Sequence, residues 1–368
     1  MLSPHLKEVT LAATLSLLLS SQCHSDNFII GADLSYVNQM EDCGAQYRKD
    51  GKPVDPFTLF ANNNFNLVRV RLWHTPSDYS NFADVTKTIQ RAKDNNLPVL
   101  LDFHYSDTWA DPDKQHRPKA WSTIKDTQQL ADKVYQYTFE TLSRLQEMKL
   151  YPQSVQIGNE TNIEILQGQG KQKTDSINWK RNITLLNSGI QAVHDANARF
   201  HQKAKIMLHI AQPENAVAWF PKAHSHGIAA YDYIGLSYYE KWSTYNLKQL
   251  SQTIKELKNT YTKDVIIVET AYPWTLKNFD GAGNLLGKDA LVTGYPASKK
   301  GQQHYLSDLL KSIKAGGGSG MVYWEPAWVS TPCKTQWGQG SHWENASFFD
   351  ADNGNEALPV FKVFNSNF

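Results

Sequence analysis

Two glutamates stand at the ends of two short apolar runs. Ser154-Val155-Gln156-Ile157-Gly158-Asn159-Glu160 reads as a buried strand stopping at a carboxylate beside Asn159, and Val265-Ile266-Ile267-Val268-Glu269-Thr270 repeats the arrangement. Cleaving a glycosidic bond needs such a pair, one carboxyl to protonate the leaving oxygen and one to attack or to activate water. Glu160 is the expected general acid/base and Glu269 the expected nucleophile of a retaining double displacement. The acid needs a weakly polar setting and a neighbouring carboxylate to keep its proton near neutral pH. The nucleophile needs a cation or phenol beside it, for which Arg69, Arg71 and Tyr238 are the candidates. The competing reading of an arginine within a strand is a buried ion pair with no catalytic duty.

The elements that must position these groups alternate along the whole chain. Strand-like runs occur at 28–34, 67–72, 99–104, 154–160, 205–210, 231–238, 265–270 and 321–325. Between them, apolar residues recur at helical spacing over 84–95, 126–149, 178–198, 246–259 and 301–314, with Asp126 placed as an N-cap. Eight such alternations without a linker predict a single-domain α/β fold, a (β/α)8 TIM barrel over 28–368. Active sites of that fold lie at the C-terminal strand ends. Asp33, Tyr36, Arg69, Arg71, His104, Asn159, Glu160, His209, Tyr238, Glu269 and Trp324 all fall at or near those ends. In such a barrel strands four and seven are expected on opposite walls, their carboxylates facing across the mouth.

Composition narrows the partners. Lys+Arg 37 against Asp+Glu 36 leaves a net charge of +1, which suggests neither nucleic acid nor an anionic membrane. Trp 11 and Tyr 17 supply rings suited to the apolar faces of sugars. The run 11–20 is too short to span a bilayer and suits a signal peptide ending near residue 23, so a secreted or periplasmic protein is expected. Leu19-Ser20-Ser21-Gln22-Cys23 loosely resembles a lipobox, the alternative being an outer-surface lipoprotein anchored through Cys23. Setting Cys23 aside leaves Cys43 and Cys333, which follow strands one and eight. Those strands are neighbours once the barrel closes, so the two cysteines are candidate disulfide partners. His74, Asp102, His104 and His209 lack tight metal-ligand spacing, so no metal or other cofactor is expected to be required. Sugar hydroxyls are the expected partners of the histidines. Asn-x-Ser/Thr occurs at Asn159, Asn182 and Asn345, the first within the expected site.

The chain resembles the endo-β-1,4-galactanases of glycoside hydrolase family 53. The motifs that carry the resemblance are Gly31-Ala32-Asp33-Leu34-Ser35, Val68-Arg69-Val70-Arg71-Leu72-Trp73, Asp102-Phe103-His104-Tyr105-Ser106-Asp107-Thr108-Trp109-Ala110-Asp111-Pro112 and Gln156-Ile157-Gly158-Asn159-Glu160. They continue with Gly235-Leu236-Ser237-Tyr238-Tyr239, Glu269-Thr270-Ala271-Tyr272-Pro273-Trp274 and Tyr323-Trp324-Glu325-Pro326-Ala327-Trp328. The resemblance implies Glu160 as proton donor, Glu269 as nucleophile, Trp324 as a sugar platform and Trp274 as a further substrate-binding residue. It implies β-1,4-galactan, including type I arabinogalactan of pectin, as substrate; separately, a monomer is expected, with no protein partner implied. Some members of the family bind calcium after strand seven, where Asp280 and Asn284 are weak candidate ligands here. Two other readings compete: another retaining barrel glycosidase (β-1,4-xylanase, glucanase or mannanase), and a non-catalytic sugar-binding protein.

Overall fold

Leu67-Val68-Arg69-Val70-Arg71-Leu72 is buried throughout, because a barrel strand faces packed side chains on both sides. The computed structural model describes residues 28–76, 78–168 and 177–365. Its eight parallel strands are β1 (Ile29–Asp33), β2 (Leu67–Leu72), β3 (Val99–Phe103), β4 (Ser154–Ile157), β5 (Lys205–Ala211), β6 (Tyr233–Ser237), β7 (Asp264–Glu269) and β8 (Gly320–Tyr323). They close in sequence order, with β1 hydrogen-bonded to both β8 and β2. The expected signal peptide, including Cys23, lies outside the described residues. Among the described residues no helix is long and apolar enough to cross a membrane.

Helices α1 (Val37–Asp42) and α2 (Pro56–Ala61) follow β1; α3 (Phe82–Asp94), α4 (Thr127–Glu147), α5 (Trp179–Phe200), α6 (Pro213–Ser225), α7 (Leu247–Tyr261) and α8 (Lys299–Ala315) follow the next six strands. Asp126 caps α4 by accepting from the Gln129 amide, as expected. α6 is not among the helices expected from the sequence; its Pro213 sits in the first turn, where no intrahelical amide bond is lost. After β8 a short 3-10 turn, Pro359–Val363, takes the last helix position and packs on α8. Its Phe361, with Phe348 and Phe364, interlocks with Phe60 and Phe65 below the barrel.

Strand alternation sorts the interior into layers. The lower layer is apolar, built from Leu67, Leu100, Met207, Ile266, Val268 and Val322. Gly235 lets Met207 pass, since a Cβ there would sit 2.7 Å from Met207 Sδ. The layer above is polar: Asp33, Arg69, Asp102, Gln156, His209, Ser237 and Glu269, all buried. The apolar plug below thus keeps water from reaching the polar layer from that side.

Cys43 and Cys333 form a disulfide, with Cα atoms 5.6 Å apart, between the loops that follow β1 and β8. The bridge ties the seam where the barrel closes. Replacing both cysteines by serine is expected to lower the unfolding free energy by about 2–5 kcal/mol, read from denaturant midpoints. A variant with an unchanged midpoint would show that the seam holds without the bridge.

Candidate active site

At the end of β4 the backbone turns sharply. Gly158 has φ 78° and Glu160 φ 44°, both in the left-handed region; for the glutamate this costs on the order of 1–2 kcal/mol. Surrounding bonds hold it there: Gln115 Nε2 donates to the carbonyls of Asn159 (2.8 Å) and Glu160 (3.2 Å), and the Thr161 amide donates to His209 O. The turn lifts the Glu160 carboxyl out of the barrel interior, where it keeps partial exposure to the cleft. Glu269 is the last residue of β7 and is buried.

β4 and β7 are separated only by β5 and β6, so the two glutamates do not stand on opposite walls as expected. β6 bridges them. A register shift between Leu236 and Ser237 sets Ser237 against Glu269, while the Ser237 hydroxyl donates to Glu160 Oε1 at 2.5 Å.

Arg69 is the cation on the candidate nucleophile. Its guanidinium reaches Glu269 Oε1 at 2.8 Å, Asp33 at 3.0 Å and Asp102 at 2.8 Å, and also donates to Asn159 Oδ1 and Gln156 Oε1. Arg71 does not share this task. It pairs with Glu325 and lies 4.1 Å from the Tyr36 ring centroid and 4.5 Å from that of Trp109, because successive inward positions of a strand sit one layer apart. The phenol beside Glu269 is Tyr239, whose hydroxyl donates to Oε2 at 3.3 Å. Tyr238 points away and donates to Tyr245 O. Strand alternation contained this answer: with Ser237 facing inward, Tyr239 and not Tyr238 shares its face.

Burial raises both carboxyls above their ordinary range, and their positions separate them. Glu160 is pushed well up, first by burial and then by the charge of Glu269, with Ser237 and Arg69 opposing. Glu269 is raised to about 7 by burial, with Arg69 pulling it down. Arg69 lies directly on Glu269 and opposes its rise, whereas the Glu160 carboxyl is bonded to the Ser237 hydroxyl and to no cation among the described residues. Such a division suits one acid and one nucleophile.

His104 and His209 do not reach out toward a sugar. His104 uses Nε2 on Asp102 and Nδ1 for the Trp73 indole and the Ala110 amide; His209 is fully buried between Ser237, Gln156 and Asn159. Trp324 does line the cleft, its ring 4.7 Å from that of Trp343, whose indole N–H donates to Trp324 O. Trp274 lies behind the wall, stacked on Phe279 and donating to Glu344 O. The cleft, about 770 Å³, is instead walled by Trp109, Trp337, Trp343 and the half-exposed Trp242. Aromatic content announced such rings, but only the loops between strands decide which of them meet.

The candidate calcium loop is occupied by its own bonds. Asp280 accepts from Ala282 N, Ser330 Oγ and Ser341 N, and Asn284 turns its amide nitrogen toward Asn278 and Glu344. Glu344, its Oε2 buried without a hydrogen-bond partner, is raised to about 7 by burial, opposed by the Phe279 amide and reinforced by Asp280. Among the described residues no three acidic, His or Cys side chains converge as a metal site. As arranged, these residues do not fit a calcium ion. The three Asn-x-Ser/Thr asparagines, Asn159, Asn182 and Asn345, are each buried and hydrogen-bonded to backbone carbonyls, so none can carry a glycan in the folded protein.

Two glutamates from adjoining quarters of a barrel are common to many glycosidases; the sequence model of glycosyl hydrolase family 53 matches residues 29–364. The chain belongs to glycosyl hydrolase family 53. Its relatives agree along nearly the whole length. An arabinogalactan endo-β-1,4-galactanase of Cellvibrio japonicus is 56% identical, over 99% of this chain and 98% of that one. An endo-β-1,4-galactanase of Bacillus subtilis is 36% identical, over 84% and 72%. Among solved structures, a family 53 catalytic domain from Ignisphaera aggregans superposes with a TM-score of 0.82 at 31% identity, covering 92% of this chain and 95% of that domain. This family 53 chain is a glycoside hydrolase, and the (β/α)8 fold expected from its strand pattern is the fold it has.

Proposed function

We propose that this family 53 enzyme hydrolyses β-1,4-galactosidic bonds within galactan and type I arabinogalactan, with retention of configuration. Full-length similarity to the Cellvibrio japonicus arabinogalactan endo-β-1,4-galactanase supports the substrate. The pairing of Glu269 with the Arg69 cation, and of Glu160 with the Ser237 hydroxyl, supports the roles. Glu269 attacks the anomeric carbon while Glu160 gives its proton to the departing O4, leaving a glycosyl ester on Glu269. Glu160, now a carboxylate, takes a proton from water as that water attacks the anomeric carbon. The ester breaks, Glu269 leaves as carboxylate and Glu160 is protonated again. Arg69 and Tyr239 hold the nucleophile's two oxygens throughout. Trp324 and Trp109 offer apolar faces to the chain on either side of the cut.

Two carboxyls complete this cycle without a cofactor. A soluble polysaccharide in a cleft formed within one chain calls for no partner subunit, and we take the enzyme to act as an exported monomer. Reducing-sugar release from β-1,4-galactan, with xylan, mannan and carboxymethylcellulose in parallel, tests the reading. Short galacto-oligosaccharides from galactan alone are expected. Cleavage of another polymer instead would leave the carboxyl pair standing and overturn the substrate; no product from any of the four would point to a protein that only binds sugar.

A further inference from the structure

One of the two oxygens of the Glu160 carboxyl is already engaged. Ser237 Oγ lies 2.5 Å from Oε1 and 2.9 Å from Nε2 of His209, and both Ser237 and His209 are fully buried. The far side of the imidazole sets the direction of these bonds. Nδ1 faces one donor of fixed direction, the Glu160 backbone amide at 3.4 Å; Gln156 Nε2, 3.0 Å away, directs its hydrogens to Asp102 Oδ1 at 2.6 Å and Asn159 Oδ1 at 3.0 Å. Asn159 Oδ1 is also 2.9 Å from Nδ1, but it already accepts from Arg69 and Gln156, and its amide nitrogen is fixed on Ala110 O. Nδ1 is therefore the acceptor. Burial and the charge of Arg69 keep the ring neutral, so its single proton sits on Nε2. The chain runs one way, from His209 Nε2–H to the Ser237 hydroxyl and from that hydroxyl to Glu160 Oε1.

We propose that Ser237, oriented by His209, holds Glu160 Oε1 as a hydrogen-bond acceptor and so confines the transferable proton of the acid to Oε2, the oxygen left for the departing sugar. This rests on the reading of Glu160 as acid/base. An oxygen accepting a short, charge-assisted bond is the less basic of the two. Without Ser237, a proton on Oε1 would be equally available and would point away from the bond to be cut. The same bond favours the carboxylate form. It thus restrains the rise that burial and Glu269 impose on the acid. Glu160 is faced by Arg69 from β2, Asp111 from the loop after β3, His209 from β5, Ser237 and Tyr239 from β6 and its end, and Glu269 from β7. Ser237 is the side chain hydrogen-bonded to its carboxyl among the described residues. Both Ser237 and His209 are positioning residues, acting on the substrate only through Glu160.

The test compares Ser237→Ala, His209→Asn and the double variant. Two quantities are measured: kcat/KM on galactan against pH, and the first-turnover release of dinitrophenol from a dinitrophenyl galactobioside, a leaving group that needs no proton. In Ser237→Ala the basic limb of the galactan profile is expected to move up by about one pH unit. Galactan cleavage should fall about ten-fold further than dinitrophenol release. His209→Asn should move the limb the same way, and the double variant no further than Ser237→Ala. A wild-type profile in folded Ser237→Ala, or additive shifts in the double variant, would overturn the proposal. Ser237→Ala deletes one buried hydroxyl and decides the matter even if His209→Asn does not fold. Glu160→Ala, run alongside, separates the two levels. If it fails to lose galactan cleavage selectively over dinitrophenol release, the acid/base assignment itself falls; if it succeeds while Ser237→Ala behaves as wild type, only the role of Ser237 falls.

Discussion

Glu269→Ala should cut turnover of galactan by roughly 10⁴-fold or more, and azide should restore measurable rate with inverted product. The protein around the deletion explains why both halves are expected. Arg69 keeps Asp33 at 3.0 Å and Asp102 at 2.8 Å when Glu269 is gone, so the cation remains compensated and the fold stands. The vacated space faces the anomeric carbon, and azide there attacks once, from the side opposite the leaving group, with no ester for water to reopen. Glu160 loses the neighbouring charge that helps to raise it. Its ability to protonate the leaving oxygen should therefore fade at lower pH than in the wild type. Rate and product stereochemistry, followed with and without azide, check the assignment. Undiminished turnover without azide, or retained configuration with it, would falsify Glu269 as the nucleophile.

Arg69→Met is expected to damage both stability and catalysis. The substitution takes the cation from three buried carboxylates, Asp33, Asp102 and Glu269, removes one of the donors to Asn159 Oδ1 and leaves Gln156 Oε1 without its donor. Removing one partner from such a cluster costs about 3–5 kcal/mol, which a denaturant titration would read directly. Activity should suffer in a pH-dependent way. Glu269, already near 7, rises further without its cation, and since the nucleophile must be ionised, the acid limb of kcat/KM should move to higher pH. Arg69→Lys supplies a charge without the fork and should recover part of the stability but little of the profile. An acid limb unmoved in Arg69→Met would show that Arg69 serves the fold alone. The raised affinities also set stability against activity. A carboxyl whose folded pKa lies above its unfolded one stabilises the protein fully below the unfolded value and loses that contribution as pH climbs through the folded one. For Glu269 that window ends near 7, so ionising the nucleophile loosens the fold that holds it.

Much of this was legible in the chain because barrel strands are buried on both faces and helices on one, and the two patterns differ in period. Glu160, Glu269, Arg69, Asp33 and Asn159 could be placed at strand ends for that reason. The errors trace to finer geometry. Tyr238 was preferred to Tyr239 because the inward phase of β6 was not followed past Ser237. Arg71 was grouped with Arg69 although two residues along a strand carry a side chain to another layer. The position of Trp274 depends on how the loop after β7 folds onto Glu344, and no local pattern encodes that. His104 and His209 turn their ring nitrogens to the scaffold and not to a sugar, because their partners come from other strands and loops. Trp109 and Trp337 join the cleft on loops held by Arg71 and by the disulfide, contacts far apart in sequence.

The closure of the barrel also fixes where the described residues begin and end. β1 begins at the lower rim, where Phe28 O accepts from Asn66, and the tail returns to the same rim, with Phe364 against Phe65 and Asn365 bonded to Asn63. The cleft opens at the opposite rim. A tether joined ahead of Phe28, whether a lipid, a cell-wall anchor or an engineered display partner, would hold the molecule by its floor and turn the mouth outward.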